Sequence, residues 1–188
     1  MQASFNDKSI QHIVAKEEIR DSMCLYARGV DRGDWKLVRS SYHPDAYDDH
    51  GGYKGNIDGL IQWLDERFAG VNNSMHFLGN CMIEFAGPEV ALVETYFVSR
   101  RLLEPVGKEL DMAGPTDAMC REAWGRYVDR FELREGAWKV ANRTVVLEAS
   151  STSLALGGRL RSSALTWGLR NSADRLYQVQ AEIFPARA

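Results

Sequence analysis

Cysteine, proline and histidine are scarce in this chain of 188 residues, and positive charge is not in excess. The three cysteines, Cys24, Cys81 and Cys120, lie far apart and form no C-x-x-C pair. That argues against a disulfide framework or a zinc site and fits a reducing cytoplasm. Lysine and arginine number 23 against 26 acids, a net charge of −3. A nucleic-acid surface needs the opposite balance, because it must displace counterions. No apolar run approaches the roughly 20 residues that cross a bilayer. The opening MQASFNDKSIQHIVAKEEIRD has no basic stretch followed by an apolar one, so no secretory signal is expected. No serine or cysteine stands in a G-x-S-x-G elbow, which leaves acyl transfer without its nucleophile.

What is present describes one domain with a core large enough to hold a pocket. Residues 8–29 read as a helix, with Ile10, Val14, Met23, Tyr26 and Ala27 as its apolar positions and Gly29 and Gly33 as stops. Asp34 is placed to cap a second helix, WKLVRSSY. HPDAYDDHGGYKG reads as turn, short strand and turn, and NIDGLIQWLDERF as an amphipathic helix. After residue 74 the period changes. Four long β-rich runs follow, the last two joined by the hairpin signal REGAW. Helices first and strands after argue for an α+β fold: a cone-shaped α+β barrel, three N-terminal helices on a curved, mostly antiparallel sheet around an apolar pocket. Residues 1–149 form this body. Residues 150–188 form an ordered apolar arm that covers the pocket or a neighbouring subunit, and the long connection 104–120 reads as a lid or an oligomer contact.

Four histidines exist. His12 and His43 sit at solvated-looking positions, and His50, in YDDHGG, reads as a turn residue. The DDH run at 48–50 offers ligand types, but strand neighbours face opposite ways and no second cluster accompanies it, so no metal is expected. His76 opens a strand among apolar neighbours, where it is either a hydrogen-bonded core residue or a base. Asp31, in YARGVDRGDW, is either a solvated charge at a helix break or a carboxylate turned inward. Buried, it would need a partner. An Asp31–His76 dyad answers both: the carboxylate holds one ring nitrogen and frees the other to take a proton. A base without a nucleophile suits proton abstraction and elimination. Arg143, mid-strand in AWKVANRTVVL, is either a surface ion-pair member or an inward cation for developing negative charge. Tyr26 is either core filler or a hydrogen-bond donor, and it meets Asp31 only if the helix ends near Gly29.

The helix ending YARGVDRGDW, HPDA leading to a G-x-Y-x-G turn, MHFLGNCMIEF, and DRFELREGAWKVANRTV together resemble the SnoaL-like branch of the nuclear-transport-factor-2-like superfamily, over roughly residues 8–149. The resemblance is to its cofactor-free eliminating enzymes: hexachlorocyclohexane dehydrochlorinase, scytalone dehydratase and the bile-acid 7α-dehydratases. It implies an Asp–His pair at Asp31 and His76, an arginine at Arg143, and a tyrosine at Tyr26 as in the bile-acid enzymes. The dehydrochlorinase has lysine at Tyr26, the strand aspartate of the bile-acid enzymes is missing near Ser99 and Arg100, and no histidine follows His76. The match is thus to a mechanism class. It implies a lyase removing water, less readily a halide, from a bulky apolar steroid- or bile-acid-like substrate, without cofactor, as a homotrimer. Isomerisation, polyketide cyclisation and a non-catalytic small subunit of a ring-hydroxylating dioxygenase are the alternatives on the same fold.

Overall fold

The structure is a computed structural model that describes residues 10–103, 118–155 and 164–185. Helix α1 (Ile10–Arg32) is followed by α2 (Trp35–Ser40), strands β1 (Tyr42–Asp49) and β2 (Lys54–Asn56), and helix α3 (Ile57–Arg67). Four long strands come next, β3 (Val71–Gly87), β4 (Val90–Leu103), β5 (Ala118–Arg134) and β6 (Ala137–Ala155), and then α4 (Arg175–Ile183). The α+β architecture and the curved sheet agree with the expectation from sequence. The sheet has six strands in the order β2-β1-β6-β5-β4-β3. Only β1 against β6 is parallel among the pairings. Most of the expected lid, residues 104–117, and the stretch 156–163 of the arm lie outside the described residues.

Local chemistry accounts for several element ends. The Asp34 carboxylate accepts from the Leu37 N–H at 3.2 Å, and Asn56 accepts from Gly59 N–H at 3.0 Å, capping α2 and α3. Glu135 and Gly136 both have positive φ, 53° and 77°, as a two-residue hairpin turn requires. Helix α1 departs from expectation. It runs past Gly29 to Arg32 and ends at Gly33, whose φ is +68°. Gly29 instead allows a close crossing: a Cβ there would lie 2.8 Å from the Val38 backbone nitrogen and 2.9 Å from the Asp34 carbonyl oxygen. The buried face of α1 is Ile19, Met23, Tyr26, Ala27 and Val30, whereas Ile10 and Val14 are exposed.

Bulges curve the sheet and set which side chains enter the cone. In β3 the register shifts between Leu78 and Cys81, so Ser74 and His76 face inward before the shift and Ile83 after it. In β6 the partners step from Asn142 to Val140 while β5 steps only from Arg130 to Phe131, leaving Ala141 as the extra residue. Trp138 and Val140 are buried before it, and Arg143 after it. Strand β6 also continues beyond the expected boundary at residue 149. The described part of the arm folds back on the end of α1, where Arg170 Nη2 donates to the Val30 carbonyl at 3.3 Å and Arg32 meets the buried Asp174 at 3.6 Å.

Candidate active site

Asp31 sits in the last turn of α1, where a carboxylate faces the negative end of the helix dipole and needs strong local donors. It has three. The Ser74 hydroxyl donates to Oδ1 at 2.8 Å, the His76 backbone N–H to Oδ2 at 2.8 Å, and His76 Nδ1 lies 2.7 Å from Oδ1. Burial opposes the charge on Asp31, but these bonds and the His76 imidazole outweigh it and hold its pKa below the ordinary value. An ionised Asp31 makes Nδ1 of His76 the donor, and in the neutral ring that tautomer carries its lone pair on Nε2. His76 lines a cavity of about 520 Å³ whose apolar wall includes Val30, Leu64, Phe68, Phe97 and Tyr127.

Tyr26 and His50 line the same cavity. Tyr26 is buried on α1, and its hydroxyl lies 3.1 Å from His50 Nε2. His50 Nδ1 is bonded to Asp48 Oδ1, and the other Asp48 oxygen accepts from the Tyr42 hydroxyl at 2.7 Å. Burial, only partly opposed by the Arg143 charge, raises the Tyr26 pKa well above the ordinary phenol value, so Tyr26 is a neutral donor. A second Asp–His pair thus stands behind Tyr26 in the same cavity as His76. It replaces the reading of His50 as a plain turn residue. The signal was available: Asp48 and His50 are two apart at the end of a strand and so share a face.

Arg143 faces inward but does not line the cavity. It is completely buried, with Asp48 and Asp129 as its direct neighbours on the flanking strands. Nε and Nη2 donate to the two Asp129 oxygens at 2.8 and 2.6 Å, and Nη1 donates to the Tyr42 hydroxyl at 3.0 Å. Its guanidinium lies 4.3 Å from the ring centres of both Tyr26 and Tyr127. Burial disfavours the cation, but Asp129 outweighs it and Arg143 stays charged. Arg143 thus touches Tyr42, whose hydroxyl bonds Asp48, the partner of His50, and not the cavity where contact with substrate charge is expected of it. His43 is likewise corrected. It is buried, with Nε2 at 2.9 Å from the Glu132 carbonyl oxygen. His12 is half-buried, its ring centre 4.4 Å from that of Phe85.

The SnoaL-like domain family matches residues 11–144. No curated protein matches. Among solved structures, a protein from Novosphingobium aromaticivorans DSM 12444 described as a scytalone dehydratase superposes with a TM-score of 0.64 at 15% identity, covering 75% of this chain and 89% of that one. Hexachlorocyclohexane dehydrochlorinase LinA-type3 from Novosphingobium barchaimii LL02 gives 0.62 at 14% identity, covering 77% and 93%. A protein from N. aromaticivorans described as the β subunit of an aromatic-ring-hydroxylating dioxygenase gives 0.53 at 16%, covering 73% and 91%. At these identities the structural likeness speaks for the fold.

Proposed function

Since the chain belongs to the SnoaL-like domain family of the nuclear-transport-factor-2-like superfamily, we propose that it is a cofactor-free carbon–oxygen lyase, a dehydratase. Its substrate is a bulky apolar alcohol, steroid- or bile-acid-like, whose reacting C–H is acidified by a nearby carbonyl or unsaturation. The observation that carries this reading is the Asp31–His76 pair, with the free imidazole nitrogen on an apolar cavity. His76 Nε2 takes the proton, and the electrons of the broken C–H bond form the new double bond. The C–O bond breaks, and the leaving oxygen receives a proton from Tyr26, which takes one in turn from Nε2 of a protonated His50 held by Asp48. Water is the leaving group, and solvent resets the two imidazoles after product release. Asp31 and Asp48 are positioning residues, and Arg143 supports the second pair from behind. A placed general base contributes about 10²–10⁴-fold.

The protein works in the cytoplasm as a homo-oligomer, with a trimer favoured. Its three cysteines are free, and no helix among the described residues is long and apolar enough to cross a membrane. The test is product analysis by mass spectrometry on a set of hydroxysteroids and hydroxy bile acids. Loss of 18 mass units with the wild type, and about 10²–10⁴-fold slower loss with His76→Ala, is expected. Isomerised product of unchanged mass would make the protein an isomerase. No turnover of any hydroxylated polycycle would overturn the dehydratase reading.

A further inference from the structure

The cavity has a second polar end that the elimination does not use. Arg101 on β4 and Arg121 on β5 are direct cross-strand partners, and both line the cavity, as does Arg67 at the end of α3. Like charges placed opposite one another across a sheet are destabilising. The adjacent cross-strand pair is of opposite charge: Arg100 faces Glu122 and the two approach to 3.6 Å. Among the described residues neither Arg67 nor Arg101 has a carboxylate within ion-pair distance. Both are instead laid against aromatic faces, Arg67 at 4.9 Å from the Trp63 ring centre and Arg101 at 4.9 Å from that of Phe68. Such stacking fixes a guanidinium while leaving its N–H edge open to a ligand.

We propose that Arg67 and Arg101 form a subsite for an anionic oxygen group, carboxylate or phosphate, carried by the apolar molecule that fills the cavity. Rows of cross-strand partners place it. Ser74, Arg101, Arg121 and Thr152 form one row; His76, Ser99, Ala123 and Ser150 form the next on the same face. Two residues along a strand cover about 7 Å, so the anion is held within one or two side-chain lengths of the base. Ser150 and Thr152, which belong to these rows, line the same end. Burial first, and then the charges of Arg67 and Arg121, pull the Arg101 pKa down to about 10, and a bound anion would relieve that strain. Among the described residues Glu122 is the acid lining this end, and it is engaged by Arg100.

The inference rests on the cavity being the substrate site, but its test reads binding and not turnover. Tryptophan fluorescence of the full-length protein, with Trp63 beside Arg67, would be titrated with cholate, with methyl cholate and with inorganic pyrophosphate. Cholate should bind about tenfold or more tightly than its methyl ester, equivalent to about 1.4 kcal/mol. Arg101→Met should erase that preference while leaving methyl cholate affinity unchanged. Arg67→Met, at a more exposed position, should reduce it and serves if Arg101→Met does not fold. Competition between pyrophosphate and cholate would assign the subsite to a phosphate-bearing group; no competition, with the cholate preference intact, would assign it to a carboxylate. Equal affinity for acid and ester in the wild type, or an unchanged preference in both variants, would overturn the subsite. Full turnover by His76→Ala with the preference retained would instead sink the dehydratase reading and leave the subsite standing.

Discussion

A carboxylate in the last turn of a helix is held there only by what it accepts, and that makes Asp31 sensitive to acid. Its pKa is depressed in the folded protein, so its stabilising contribution is complete above the unfolded value of 3.8 and is lost as pH falls through the lower folded value. Asp31→Asn should therefore be less stable than wild type at neutral pH. The gap should close as pH drops below about 3.8, seen as converging urea midpoints. Catalysis separates the two imidazole pairs. Asp31→Asn leaves His76 in place without its charge partner and should lower kcat by about 10²–10⁴-fold. Tyr26 and His50 act in one proton path. Tyr26→Phe and His50→Gln should each reduce kcat, and the double variant should be no slower than the slower single one. Multiplying losses in steady-state kinetics would show that the two side chains act independently.

At the scale of elements, the crossing of α1 over α2 depends on the absence of one methyl group. A Cβ at Gly29 would press on the Val38 backbone nitrogen, which has no flexible side chain to yield. Gly29→Ala should cost about 1–3 kcal/mol by urea denaturation, despite the higher helix propensity of alanine. This is also where legibility in the sequence divides. Asp34, Asn56 and the Glu135–Gly136 turn act on neighbours in the chain, so their caps and hairpin can be read from spacing alone. The role of Gly29 depends on a neighbouring helix and cannot. Arg143 shows the same limit in a strand. Strict alternation puts it on the face opposite Trp138 and Val140, and only the extra residue Ala141 turns it inward. Bulges are pairing events between distant segments, and no local pattern marks them. His50 lies between these cases: the two-residue spacing from Asp48 is local, but its Tyr26 partner arrives from α1.

At the scale of the whole molecule, the sheet among the described residues ends in an edge to which no further strand is paired. Strand β3, with 17 residues, ends the sheet order, and among the described strands β4 is its neighbour. Long free edges invite pairing with another chain, and proteins shorten, charge or cover them. Here apolar side chains stand outward among a few charges: Met75, Phe77 and Met82 on β3 are exposed, joined by Leu92 and Tyr96 on β4, with Glu84 and the Glu94–Arg126 pair beside them. Clustered outward apolar residues of this kind mark an association surface. A second copy is the occupant that fits best, because a closed ring of identical chains covers each such face with no further partner. Phe77→Lys replaces an exposed side chain, so it should leave the unfolding free energy of the isolated chain, from urea denaturation, within about 0.5 kcal/mol of wild type. It should nevertheless shift the sedimentation coefficient from that of a trimer to that of a monomer. A wild-type chain that sediments as a monomer at micromolar concentration would refute the trimer, and the apolar face would then need a different protein to cover it. The cavity opens on the inner face of the sheet, away from this surface, so the Phe77→Lys monomer should retain the cholate preference set by Arg101. Losing that preference on dissociation would mean that a neighbouring copy helps to build the anionic end of the cavity.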